Sequence, residues 1–142
     1  MNRVVIDASV VLKWYLVDEN LGGKAVTLLG EYISNKLDFL APSLLEYEVI
    51  NGLVIAQRRG RIEERRILSA IDGFVNLEIM LKNLAPLYPK VWYYCKSYNR
   101  SAYDASYLAL ADQEGVVLIT ADKGLYNAVK KDLNWVRWLG DV

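Results

Sequence analysis

The chain has 142 residues, the size of one domain, and 54% of them are hydrophobic, which supports a core and excludes a disordered chain. The 17 Lys and Arg balance 17 Asp and Glu, so no net basic charge marks a nucleic-acid binder, and any phosphate contact has to come from local cations. Histidine is absent and Cys95 is the single cysteine, which removes His triads, His general bases, His-ligated zinc, intrachain disulfides and Cys-only zinc sites.

Chemistry in this chain therefore falls to carboxylates, hydroxyls, lysines, or metal ions held by oxygen. No apolar run approaches the ~20 residues of a membrane span. The apolar start at 4–6 is too short for a signal peptide and meets Asp7 at once. A cytoplasmic protein without membrane contact is expected.

Residues 4–6 are a β-branched run that reads as a buried strand ending at Asp7. Ser9 is the expected N-cap of a helix over 10–16. A helix over 21–32 and a short strand over 37–40 follow. Pro42 and Ser43 open a long helix over 44–58, closed by Gly60. An amphipathic helix is expected over 62–74 and a strand over 77–81. Pro86 and Pro89 stand where a further helix begins, continuing over 91–98. A helix rich in small residues over 102–114 stops at Gly115. The clearest strand, 116–119, leads to a helix over 122–131 and a last strand over 135–138. This alternation, with apolar strands buried on both sides, predicts a three-layer α/β/α fold around a mainly parallel sheet. There is no repeat, low-complexity tract or linker, so residues 1–142 are expected to form one unit.

In such a sheet, ligands bind beyond the carboxyl ends of the strands. Asp7 ends the first strand, and Asp122 lies just past the strand 116–119. Asp104 sits in the first turn of the helix that runs antiparallel into that strand, so it faces the same edge. The helix 44–58 carries two acids. At about 100° per residue, Glu46 falls with Gln57 on one side. Glu48 and Asn51 fall nearly opposite, among Leu44, Gly52 and Ile55. A carboxylate in apolar surroundings is costly unless paired or metal-bound, which selects Glu48 over Glu46. Each acid also has a structural reading: Asp7 as a cap, Asp104 and Asp122 as first-turn acids favoured by the helix dipole, Glu48 as partner of a cation such as Arg100. Those readings leave unexplained why three Asp converge on one strand edge.

The residues around these acids resemble the PIN-domain family over nearly the whole chain. Val5-Ile6-Asp7-Ala8-Ser9 is similar to its first strand, and Ala41-Pro42 followed by Glu48-Val49-Ile50-Asn51-Gly52-Leu53 to its Glu-bearing helix. The segment Tyr103 through Ala111 resembles the third acidic motif, and Leu118 through Leu125 the fourth. The likeness is greatest to small VapC-type toxins of toxin–antitoxin pairs. It implies Mg²⁺ or Mn²⁺ held by Asp7, Glu48, Asp104 and Asp122, cleavage of RNA phosphodiester bonds, and support from Ser9, Asn51 and Thr120. Leu125 stands where many relatives carry a further acidic or amide residue. Hard ions suit an all-oxygen site, and a divalent cation relieves the repulsion among clustered acids.

Lys96, Arg100 and Lys123 flank the acidic motifs and are the candidate phosphate contacts. Arg58, Arg59, Arg61, Arg65 and Arg66 are denser but diluted by Glu63 and Glu64. Tyr98 and Tyr103 could stack on bases, with core packing as the alternative role. The aromatic surplus at Trp14-Tyr15 and Trp92-Tyr93-Tyr94 suggests a homodimer interface or an antitoxin groove. Three other readings stand beside the toxin: a silent PIN-domain interaction module, a housekeeping RNA-processing nuclease, and a haloacid-dehalogenase-like phosphatase. The last needs a second Asp two residues after the first, where this chain has Ser9.

Overall fold

The structure, a computed structural model, describes residues 2–17 and 20–142. In chain order it contains β1 (Asn2–Ile6), α1 (Ala8–Tyr15), α2 (Gly22–Ile33), β2 (Leu37–Pro42), α3 (Leu45–Arg58), α4 (Ile67–Asn76) and β3 (Met80–Lys82). It continues with α5 (Tyr88–Tyr98), α6 (Ala102–Glu114), β4 (Val117–Thr120), α7 (Lys123–Val129) and β5 (Val136–Trp138).

The strands pair in the order β3-β2-β1-β4-β5, and every pairing is parallel. Parallel neighbours need helical crossovers, which cover both faces, so the central strands are apolar on both sides. Val5, Ile6, Phe39, Leu40 and Leu118 are accordingly buried. Right-handed crossovers assign α1 to α4 to one face and α5 to α7 to the other. Consistent with this, α1 packs on α2 and α3, α3 on α4, and α5 on α6. The expected α/β/α architecture is the observed one.

The chain steps outward from β1 to β2 to β3, then returns past β1 to start β4. β1 and β4 are therefore neighbours whose connections leave in opposite directions, the switch point where open α/β sheets place their ligands. Ile6 pairs with Ile119, so both strands end at the same level.

Two helices are fixed over that edge by identifiable contacts. Residues 105–111 of α6 are all buried, and the helix crosses β1, β2 and β4. Its ends are set by Ser101, whose hydroxyl accepts the Asp104 N–H, and by Gly115 at φ 65°. α3 closes on α1 at Gly52, where a Cβ would lie 2.4 Å from Leu12 Cδ1. The missing side chain lets the two helices meet and brings the first turn of α3, with Glu48, over the sheet edge.

Several boundaries differ from expectation. α1 starts after Asp7, which takes the N-cap position without a side-chain cap bond; Ser9 lies inside the first turn and its hydroxyl is used elsewhere. The helix expected from 62 is a short 3-10 turn at Glu64–Arg66 followed by α4, because Glu63 is extended and Gly60 turns the chain at φ 75°. β3 is short because Leu77 still caps α4 and Glu78 reverses the chain at φ 52°. Among the described residues, no helix is long and apolar enough to cross a membrane.

Candidate active site

Asp7 sits on the carboxyl end of β1 and is 5% exposed. Its two oxygens accept different hydroxyls: Ser9 donates to Oδ1 and Thr120 to Oδ2. Those hydroxyls are themselves anchored from the neighbouring strand end. Ser9 Oγ accepts the Ala121 N–H at 2.9 Å, and Thr120 Oγ1 accepts the Asp122 N–H at 3.0 Å. The result is a stitched seam between the ends of β1 and β4. Burial pushes the Asp7 carboxyl up to about 6, against the opposing hydroxyl bonds and with help from the Asp122 charge.

Asp122 caps α7 by accepting the Leu125 N–H at 3.1 Å. The structural reading of this residue is thus satisfied, and it coexists with its place beside Asp7: a cap uses one oxygen of the carboxylate.

Glu48, half-buried in the first turn of α3, accepts a hydrogen bond from Tyr107 of α6 at 2.6 Å. Burial raises the Glu48 carboxyl above its ordinary range; the Tyr107 bond lowers it, and the Asp104 and Asp122 charges raise it again. Tyr107 is itself 2% exposed, and its hydroxyl is driven far above the usual range by burial and by the Glu48 charge, so it remains a donor. Sequence reasoning missed this residue. The available signal was spacing: Tyr107 follows Asp104 by three on α6, hence on the same helical side.

Asp104 engages Arg100, whose Nε and Nη2 donate to Oδ2 at 3.1 and 2.8 Å. The arginine considered as a partner for Glu48 therefore pairs with Asp104. Asn51 is exposed rather than set in apolar surroundings, and with Leu44, Tyr47, Glu48 and Tyr103 it lines an open hollow of about 510 Å³. The apolar side of α3 is instead Leu45, Val49, Leu53 and Ala56. Lys123 and Lys96 are exposed, at the first turn of α7 and the last turn of α5. The basic run from Arg58 to Arg66 starts at the far end of α3, roughly 15 Å along the helix from Glu48 at 1.5 Å per residue.

The four acids thus lie along one strand edge, where the Asp122 charge acts on Asp7 and the Asp104 and Asp122 charges act on Glu48. Among the described residues, no three acidic side chains are drawn together tightly enough to enclose an ion as they stand. Asp7 is tied to its hydroxyls and Asp104 to Arg100. The donor chemistry nonetheless fits a hard divalent cation: the set is all oxygen, and two of its members are pushed toward the neutral form.

A doubly wound parallel sheet with acids from four separate elements at its switch point defines a class of protein. The PIN-domain family model matches residues 4–131. The chain belongs to the PIN-domain family. It is 33% identical over 123 residues to VapC ribonuclease Mb0985 of Mycobacterium bovis, covering 84% of this chain and 85% of that protein. It is also 33% identical over 133 residues to ribonuclease VapC1 of Mycobacterium tuberculosis, covering 88% and 90%. Among solved structures, PAE2754 from Pyrobaculum aerophilum superposes with a TM-score of 0.70 at 22% identity, covering 99% of this chain and 92% of that one. VapC20 of Mycobacterium tuberculosis, a toxin that cleaves the sarcin–ricin loop, gives a TM-score of 0.65 at 16% identity, covering 89% and 95%. PIN-domain nucleases are metal-dependent as a class.

Proposed function

We propose that this protein is an Mg²⁺- or Mn²⁺-dependent endoribonuclease, the toxin of a VapBC-type pair, with Asp7, Glu48, Asp104 and Asp122 as its metal-holding acids. The observation that carries this reading is the likeness to VapC ribonucleases of a chain whose four acids lie along the strand edge at its switch point. An ion held by Asp7, Glu48, Asp104 and Asp122 would supply a water of lowered pKa and offset charge on the phosphate oxygens. The chain's own residues provide the frame: Ser9 and Thr120 fix Asp7, Tyr107 fixes Glu48, and the Ser101 cap sets the helix turn that carries Asp104. Lys123 and Lys96 supply local positive charge in a chain with no net charge. Asn51, Tyr47 and Tyr103 line the hollow beside Glu48, where an unstacked base would find one amide and two rings.

Cleavage of a labelled RNA should require Mn²⁺ or Mg²⁺ and fall at least 100-fold, roughly the several kcal/mol a metal supplies, in Glu48→Gln. Equal cleavage by parent and variant would place the activity at another site. Absence of calorimetric metal binding would favour the silent module.

The partners proposed are a cognate antitoxin and a second copy of this chain. Much of the aromatic surplus is used internally. Trp14 stacks on Phe39 and donates to the Ala25 carbonyl, and Tyr94 is buried with its hydroxyl on Asp112. Apart from Tyr47 and Tyr103 at the hollow beside Glu48, the exposed aromatics lie around α5: Tyr88, Trp92 and Tyr93 are 62%, 64% and 54% exposed. This supports a protein interface through α5, which we assign to the homodimer. Light scattering at micromolar concentration should give twice the chain mass of 16.2 kDa, reverting toward one mass in Trp92→Asp. A monomeric parent would overturn the dimer.

A further inference from the structure

Arg100 is the middle residue of the three-residue joint between α5 and α6. Asn99 before it ends α5 in the left-handed region at φ 52°, and Ser101 after it caps α6. The Arg100 N–H is held by the Cys95 carbonyl at 3.2 Å. The backbone is thus fixed on both sides, and the side chain folds forward onto the first turn of α6. Its Nε and Nη2 converge on one oxygen of Asp104, and both side chains are only about a quarter exposed, at 25% and 24%. The guanidinium also reaches the start of α7. A Cβ at Gly124 would lie 3.6 and 3.8 Å from its two terminal nitrogens and 3.3 Å from Asp122 Oδ1. A Cβ there would be in ordinary contact with the guanidinium and tight only against Asp122, which places the cation beside the start of α7 and next to that acid.

We infer that Arg100 is a positioning residue that acts as an internal counterion: it holds Asp104 in the metal-free protein and competes with the divalent cation for that carboxylate. The inference rests on the metal-site reading above. A fixed positive charge touching one ligand repels an incoming ion, and the ion has to displace the two N–H bonds. The arrangement keeps Asp104 oriented and partly neutralised in the metal-free protein, at the expense of affinity for the ion.

The test is a calorimetric titration of Mn²⁺ alone into the full chain, with no RNA, for the parent, Arg100→Gln, Arg100→Lys and Asp104→Asn. Arg100→Gln should bind about fivefold more tightly, the factor for losing a part-exposed pair and its repulsion. Arg100→Lys, which keeps the charge but loses the forked contact, should fall between. Asp104→Asn should bind more weakly than the parent. A circular-dichroism melt of each variant establishes that it is folded. If Mn²⁺ binds the parent and Arg100→Gln alike, or binds Arg100→Gln more weakly, the counterion role is overturned and the nuclease reading stands. Unchanged affinity in Asp104→Asn also overturns it, because there is then no shared ligand. If neither the parent nor Arg100→Gln binds Mn²⁺, both readings fall together.

Discussion

Asp7→Asn should abolish cleavage and make the metal-free protein more stable at pH 7.5. The loss of activity should be roughly 10²–10³-fold, the worth of several kcal/mol of metal-based stabilisation. The gain in stability follows from burial. The carboxyl is raised from 3.8 to about 6 in the folded protein, so between those pH values the native state binds the proton more tightly than the unfolded chain. Its contribution is therefore fully present below pH 4 and lost as pH rises through 6, in total about 3 kcal/mol. Above pH 6 the native protein carries a buried, unneutralised carboxylate. Asn removes that charge and keeps an acceptor for Ser9 and a polar partner for Thr120. A net gain of about 2 kcal/mol is expected, several degrees in Tm for a chain of this size. Thermal melts without metal should show the gap between variant and parent narrowing as pH falls from 7.5 to 4.5. Saturating Mn²⁺ should raise the parent, by about 2.7 kcal/mol at a hundredfold excess over Kd, and leave the variant unmoved. A variant melting below the parent at pH 7.5 would refute the account.

Tyr107→Phe removes one oxygen from a fully packed position and leaves the ring. Its effect should reach the site through Glu48, which loses its 2.6 Å donor. Outer hydrogen bonds that orient metal ligands are worth about 10–100-fold in affinity or activity, and that drop in kcat/KM is expected here. The pH profile provides the sharper readout. The Tyr107 bond holds the Glu48 carboxyl down against burial, Asp104 and Asp122. Without it the carboxyl rises further, so the acid limb of the rate profile should move to higher pH. A fall in rate with an unmoved acid limb would mean that Tyr107 serves packing alone.

The positions of three acids at one strand edge were legible in the sequence because each is tied to a local signal that survives folding, whereas Glu48 was picked out by a face of α3 that proved to be open. Asp7 ends a β-branched run, Asp122 follows another, and Asp104 lies just inside a helix whose cap and terminal glycine are both written in adjacent residues. The helix at 102–114 could be placed to the residue for that reason. Ser9 was misread as a cap because its hydroxyl is taken by Asp7 and by the N–H of Ala121, which is far away in the chain; only the sheet brings that N–H to it. Asn51 was placed correctly on the helix opposite Gln57 but given the wrong surroundings. Helical angle fixes direction, and what lies in that direction depends on α6, whose Tyr103 faces an open hollow. Arg100 was expected near the site for a phosphate, and its pairing with Asp104 required the turn at Asn99, a left-handed residue that is not glycine. The aromatic residues divided unevenly because helices bury one side only: Tyr94 turns inward while Trp92 and Tyr93 do not.

The seam between β1 and β4 also orders events in time. Its first carboxylate, Asp7, is made more than a hundred residues before its clasping hydroxyl, Thr120, and its neighbour Asp122. Local helices can form as soon as they are made, but a parallel pair separated by more than a hundred residues waits for the intervening chain. A ribosome-bound fragment that stops short of Thr120 has three of the acids and no edge on which to gather them. The site therefore comes into being only after the whole segment that links the two strands has been made.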